Sequence, residues 1–252
     1  MNVIVRCSLM LIGAASLFEA AASPIVISNP GFETASLSIS GNGTYSNLVA
    51  GSTITSVAGT LPSWTLNSST VAAAAGGFSP SAGSPNWNST WWGGNNIAYI
   101  QVGLAGATVS LSQTLSDTLL NDTTYTLSAL IGNRLFGDLE NYSLQLLAGS
   151  TLLASASNNV ALTNGTFGTD SLTYSSGSSN ALAGQALTIR LLSTGVAGSG
   201  TNNPTEAFFD NITLDAVTAG ASPVPEPATG WVSAGLLLAL YSVRKKAGIG
   251  RV

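Results

Sequence analysis

Apolar and polar residues alternate along most of the chain between its two ends. In one segment Val109, Leu111, Gln113 and Leu115 share a face. Alternation with period two is typical of a β-strand that buries one side. Segments of this kind, rich in β-branched and aromatic residues, predict about nine strands: 25–28, 96–102, 108–115, 124–131, 142–147, 151–155, 167–174, 186–192 and 207–216.

Turn residues separate these segments, and no segment has the 3.6-residue period of an amphipathic helix. Residues 148–150 and 164–166 each place a glycine where a hairpin connection is expected. This many short strands in about 200 residues predict an all-β fold, a two-sheet jelly-roll sandwich. Residues 72–94 are rich in Gly, Ser, Ala and Asn and are too long for a hairpin turn, so we expect a loop there.

The N-terminus predicts export. One positive charge precedes an apolar segment, 7–18, and small residues follow at Ala20 to Ala22. This order is typical of a secretory signal peptide, here residues 1–22 with cleavage after Ala22. The domain that follows is expected to span 23–222.

The C-terminus, 223–252, has three parts. The hexapeptide Val224, Pro225, Glu226, Pro227, Ala228, Thr229 precedes an apolar segment, 230–243, and a basic tail, 244–252. The two prolines favour an extended, exposed hexapeptide. The apolar segment is shorter than the roughly 20 residues of a membrane-spanning helix, so we expect a short hydrophobic helix that inserts only transiently. An ordinary C-terminal anchor or a buried core helix is the alternative.

This tail resembles the PEP-CTERM sorting signal of Gram-negative bacteria, whose motif the hexapeptide matches. The resemblance implies processing by an exosortase after transient insertion into the inner membrane. It further implies delivery to the cell surface or the extracellular matrix.

Three further motifs resemble galactose-binding-like jelly rolls, a superfamily that includes carbohydrate-binding modules. They are Asn29–Glu33 after the first strand, Leu61–Trp64, and Phe209–Leu214 in the last strand. The resemblance implies polysaccharide as a partner. It also implies a structural calcium ion between the first and last strands, held by Glu33 and Asp210.

The last strand independently contains a conflict. Asp210 has the same parity as Phe208, Ile212 and Leu214, so a regular strand would bury its carboxylate. A buried carboxylate costs several kcal/mol unless it is paired or bound to a cation. Calcium, which prefers hard oxygen ligands, would resolve the conflict. A β-bulge that turns Asp210 to solvent, or an ion pair with one of the two arginines of the domain, Arg134 and Arg190, would resolve it as well.

Charge and composition narrow the function. Residues 23–222 carry nine acidic side chains and two arginines, a net charge of −7, which argues against nucleic acid or anionic lipid as a partner. The domain has no lysine or cysteine and the chain has no histidine, which excludes zinc sites and Ser/His/Asp triads. The remaining catalytic pair, Asp138 and Glu140, is more typical of a solvated hairpin edge.

Aromatic residues mark a candidate ligand site in the glycine-rich segment. Trp87, Trp91 and Trp92 lie near Asn95, and such rings beside amides suit stacking on sugars. The alternative is that one or more of the tryptophans, like Trp64, belongs to the core. We therefore expect a secreted, non-enzymatic polysaccharide-binding module. A structural or adhesive surface protein without a specific ligand is the alternative, and a carboxylate-based glycoside hydrolase is less favoured.

Overall fold

The computed structural model describes residues 22–34, 44–47, 57–58, 61–69, 73–80, 87, 93–102, 105–135, 139–195 and 206–219. Residues Ala21–Thr218 form one compact unit. The sorting motif, the predicted hydrophobic helix and nearly all of the signal peptide lie outside the described residues. In the part that is described, no helix is long and apolar enough to span a membrane.

The described residues form strands and no helix, which confirms the all-β prediction. In chain order the strands are β1 Ser23–Pro24, β2 Thr44–Asn47, β3 Val57–Ala58, β4 Thr65–Ser68, β5 Ala73–Ser79, β6 Ile97–Val102, β7 Thr108–Thr118, β8 Thr123–Asn133, β9 Asn141–Ala148, β10 Thr151–Ser157, β11 Thr166–Ser175, β12 Ala186–Thr194 and β13 Ala207–Thr218.

Among the described residues these strands make two sheets, as a jelly-roll sandwich requires. The larger sheet has the order β11-β8-β13-β6-β5-β2-β3, with β1 added beside β13. The smaller sheet has the order β10-β9-β12-β7-β4. All pairs are antiparallel except β2 with β3.

The main core lies between the sheets, and the alternating residues build it. Leu111 and Ile189 of the smaller sheet and Leu127 and Phe209 of the larger one are fully buried there. Gln113 also points inward, as its parity predicts, and its amide is satisfied by the backbone of Ser28. Period two therefore predicted the interior faces correctly.

The strand predictions differ from the structure in several places. Strands β2, β3 and β4 were not predicted. Strand β5, Ala73–Ser79, occupies part of the segment that was predicted as a loop. The sequence did not reveal it, because its alanines and glycines lack the composition of a typical strand. At the N-terminus the strand is Ser23–Pro24 rather than 25–28.

The larger sheet buries side chains on both faces. Besides the main core, a second cluster packs on the opposite, outer face: Phe78, Trp87, Ile97, Tyr99, Phe167 and Phe208. We call this cluster the aromatic patch. Leu130, which alternates with inward-facing residues of β8, packs against it.

Candidate active site on the outer face of the larger sheet

Neighbouring strands supply the floor of the aromatic patch. Phe208 of β13 pairs with Tyr99 of β6 on one side and with Gly132 of β8 on the other. Directly paired residues point to the same face of a sheet, so Phe208 and Tyr99 lie side by side. Tyr99 is fully buried and its ring centroid lies 6.4 Å from that of Phe208.

Trp87 covers this floor. Its ring centroid lies 5.1 Å from that of Phe208, with the rings nearly perpendicular, and 4.5 Å from that of Phe167. Only 7% of Trp87 is exposed, so it belongs to a packed cluster. Trp91 and Trp92 lie outside the described residues. Trp64 is buried in the main core, as the alternative interpretation had it.

Two carboxyls lie on the same face of β13 as Phe208. Asp210 follows Phe208 by two residues and pairs with Leu130, which packs on the patch. Glu206 precedes Phe208 by two residues, at the other side of its ring. Residues two apart in a strand are about 7 Å apart, so both carboxyls flank the patch. Both are buried.

Glu206 belongs to a buried charged cluster. Its Oε2 lies 3.0 Å from Nη1 of Arg134, and the backbone N–H of Glu140 donates to its carbonyl oxygen. Glu140 is fully buried, and the N–H of Val102 donates to its Oε2 at 3.1 Å. The interpretation of this acidic segment as a solvated edge is therefore wrong for Glu140. Asp138 lies outside the described residues.

The cluster places two carboxyls, Glu206 and Glu140, near the guanidinium of Arg134. Burial raises the pKa of Glu206 to about 7, because the charged form loses its hydration. Arg134 lowers this pKa and Glu140 raises it. Glu206 is thus a carboxylic acid that can hold its proton at neutral pH.

Asp210 lies in a different environment. The backbone N–H of Gly93 donates to its Oδ2 and that of Asn211 to its Oδ1, each at 2.7 Å. Burial raises the pKa of Asp210 to about 6, these two N–H groups lower it, and the nearby Glu33 carboxylate raises it. The two arginines that were considered as ion-pair partners of Asp210 have other partners: Arg134 pairs with Glu206, and Nε of Arg190 donates to Gln145.

The carboxylate of Asp210 is buried, as its position in the last strand predicted, but it does not lie on the same face as Ile212 and Leu214. A bulge between Asp210 and Thr213 changes the parity, so Ile212 and Leu214 enter the main core while Asp210 faces the outer side. Asp210 nevertheless stays fully buried, and the backbone N–H of Gly93 donates to its carboxylate. The bulge is present, but it does not turn the carboxylate to solvent.

Glu33 and Asp210 are brought together, as predicted. A Cβ added to Gly31 would lie 3.5 Å from Oδ1 of Asp210 and 3.8 Å from Cγ of Glu33. The backbone N–H groups of Asn95 and Asn96 donate to Oε1 of Glu33 at 2.8 and 3.0 Å. Asn95, predicted as a ligand for sugar, is exposed and contributes its backbone here.

The donor set of this pair fits calcium. Both side chains offer hard carboxylate oxygens, which lie close together and accept hydrogen bonds from backbone N–H groups. Asn29, Phe32 and Asn211 nearby adopt left-handed conformations with φ of 51°, 59° and 47°, which is uncommon for a phenylalanine. Within the described ranges, no group of three or more acidic, His or Cys side chains could hold a metal, so carbonyl or water oxygens would complete the shell.

The comparisons with known proteins decide the family. The model of the HpiC1-like family, described as HpiC1 cyclase, matches residues 23–215. The chain belongs to the HpiC1-like cyclase family. Among curated proteins, no relative matched.

Solved structures agree with this assignment. The Stig cyclase FisC from Fischerella sp. TAU, in complex with (3Z)-3-(1-methyl-2-pyrrolidinylidene)-3H-indole, is 27% identical with a TM-score of 0.64 and covers 79% of this chain and 100% of its own. Another cyclase from Fischerella sp. TAU is 26% identical with a TM-score of 0.62, covering 80% and 100%. Carbohydrate-binding modules are less similar: one in complex with β-1,4-galactotriose is 14% identical, with a TM-score of 0.42 and coverage of 76% and 98%.

Family membership overturns several expectations. The interpretation as a PEP-CTERM surface protein is wrong, and so are exosortase, polysaccharide and the inner membrane as its partners, because the family that matches is a cyclase family. The expectation of a non-enzymatic binding module is wrong for the same reason. The absence of histidine, lysine and cysteine from residues 23–222 excludes triads and zinc sites there, but it does not exclude a reaction that needs only one carboxylic acid.

Proposed function

We propose that this protein is a cyclase that closes a ring in an apolar, indole-containing small molecule, with Glu206 as the proton donor. The observation that carries the assignment is the position of Glu206: a buried carboxyl beside Arg134, on the same face of the sheet as Phe208, whose pKa burial raises toward neutrality. Family membership supports the reaction class. The indole compound bound by FisC supports the substrate class.

The surroundings suit such a substrate. The rings of the aromatic patch are buried and form an apolar wall next to Glu206, and a contact between aromatic rings contributes about 0.5–1.5 kcal/mol beyond the area it buries. Gln101, half-buried, follows Tyr99 by two residues on the same face of β6, toward the side where Glu206 lies. A substrate placed against Gln101 would contact both the patch and Glu206.

The chemistry balances without a co-reactant. The Glu206 carboxyl donates its proton to an electron-rich carbon of the substrate and leaves a cation delocalised over the indole. A double bond of the side chain attacks the cation, which forms the carbon–carbon bond of the new ring. A proton lost from the ring system returns to the Glu206–Glu140 cluster, so the product is an isomer of the substrate. Positively charged Arg134 stabilises the ionised carboxylate between the two proton transfers.

Calcium at Glu33 and Asp210 is part of the proposal. The ion would supply positive charge where two carboxylates lie close together, and these residues would hold it. Gly93 and Asn95 bind the same carboxylates through their N–H groups and lead into β6, which carries Tyr99. The pair therefore fixes the segment beside the aromatic patch.

Export through residues 1–22 remains a proposal for localisation. A domain outside the cytoplasm would meet calcium at concentrations that a site with two carboxylates can use. The acidic, lysine-free composition of residues 23–222 is consistent with such a medium.

The test is turnover of indoles that carry an unsaturated side chain. The purified protein should convert one of them to an isomer of unchanged mass, detected by chromatography with mass spectrometry. Glu206→Gln keeps the shape of the side chain but removes the acid, and should lower kcat by about 10²–10⁴. Retention of full activity in Glu206→Gln would remove Glu206 from this role.

A further inference from the structure

The ring of Phe167 lies over a glycine of the neighbouring strand. Phe167 is on β11, at the edge of the larger sheet, and pairs with Gly132 of β8. A Cβ added to Gly132 would overlap the Phe167 ring at three of its atoms. Gly132 has an ordinary negative φ, so the ring, rather than the backbone conformation, is what requires glycine here.

Phe167 also forms the outer end of the aromatic patch. Its ring contacts Trp87 with centroids 4.5 Å apart, and Trp87 in turn meets the edge of Phe208 at 5.1 Å. At 9% it is the most exposed member of the patch. The ring therefore fills the space beside Trp87 that Gly132 leaves above the sheet.

We propose that Phe167 determines the size of the aromatic substrate that the patch accepts, an inference that rests on the proposed cyclase function. Truncation of the ring would leave apolar space bounded by Trp87, Phe208 and the backbone of Gly132. An apolar cavity of this kind stays dry and binds small aromatic molecules. A larger ring system would then fit where the wild-type protein has the phenyl group.

The experiment compares binding of indole with binding of 2-phenylindole, measured by calorimetry. For Phe167→Ala we expect at least a tenfold gain in the affinity for 2-phenylindole relative to indole. Phe167→Leu, which disturbs the fold less, should show a smaller gain in the same direction. The matched control is Phe209→Leu, which shortens a ring of the main core on the other face of the same sheet and should leave the ratio unchanged.

An unchanged affinity ratio in both folded Phe167 variants would overturn the inference. A gain of equal size in Phe209→Leu would overturn it too, because the effect would then be general loosening. Failure of the proposed function looks different: the wild-type protein would close no ring in any indole substrate, whatever the two affinities are.

Discussion

The buried acid Glu206 should make the stability of the protein depend on pH in a specific way. Its pKa is raised from 4.5 to about 7 by burial. Between these two values the unfolded chain releases the proton while the folded protein keeps it. Folding stability due to this group is therefore complete below pH 4.5 and is lost as the pH rises toward 7.

The size of the effect follows from the shift. At about 1.4 kcal/mol for each pH unit, a shift from 4.5 to about 7 corresponds to roughly 3 kcal/mol. For a domain of about 200 residues, 1 kcal/mol moves Tm by about 2–4 °C, so Glu206 should contribute about 6–12 °C across this range. Asp210 contributes in the same direction, so the wild-type curve alone cannot isolate Glu206.

Calorimetric Tm values of wild type and Glu206→Gln between pH 4 and 8 isolate the contribution. At low pH Glu206→Gln should be less stable than the wild type, because it lacks the buried carboxylic acid. The difference in the free energy of unfolding between the two proteins should become smaller by roughly 3 kcal/mol as the pH rises to 8. Asp117→Asn, which removes a carboxyl from an exposed position of β7, is the control. Parallel curves for wild type and Glu206→Gln would refute the reasoning, because Glu206 would then be ionised in both states.

Three further outcomes are expected. Calcium should raise the Tm of the wild-type protein, because a hundredfold excess over Kd adds about 2.7 kcal/mol to the free energy of unfolding, and EDTA should reverse the rise. Glu33→Gln and Asp210→Asn should abolish this response to calcium. A response equal to that of the wild type in both variants would contradict the site. Gly93→Ala should cost about 1–3 kcal/mol in urea denaturation, because a methyl group there would overlap the side-chain amide of Asn211; a neutral effect would mean that the Asn211 side chain moves aside. Tyr142→Phe should cost about 1–3 kcal/mol, since Asp170 is buried and loses a hydrogen bond of 2.8 Å; unchanged stability would show that solvent replaces it.

The alternation of apolar and polar residues predicted much of the fold, because a strand that buries one face shows this alternation directly in its sequence. It placed Leu111 and Leu127 in the core. It could not predict β5, whose alanines and glycines carry little strand signal. Nor could it place the bulge after Asp210, since one extra residue changes the parity of Ile212 without a signal of its own.

The candidate site was predicted in part. Asp210 was found because a buried carboxylate in a lysine-free domain needs an explanation, and Glu33 was found through the resemblance to galactose-binding-like jelly rolls. Glu206 was missed, although it alternates with Phe208 just as Asp210 does. Its raised pKa depends on Arg134 and Glu140, which the fold brings together from distant parts of the chain. The same parity argument, applied two residues earlier, would have singled out Glu206.

The central claim is that Glu206 delivers a proton to a carbon of the substrate during ring closure. Turnover in D₂O tests it most directly, because the exchanged carboxyl would deliver deuterium. With wild-type protein we predict a cyclised product that carries one deuterium at the carbon protonated by the enzyme, located by NMR, and almost no product with Glu206→Gln. Cyclised product without deuterium, or an undiminished rate with Glu206→Gln, would contradict the account.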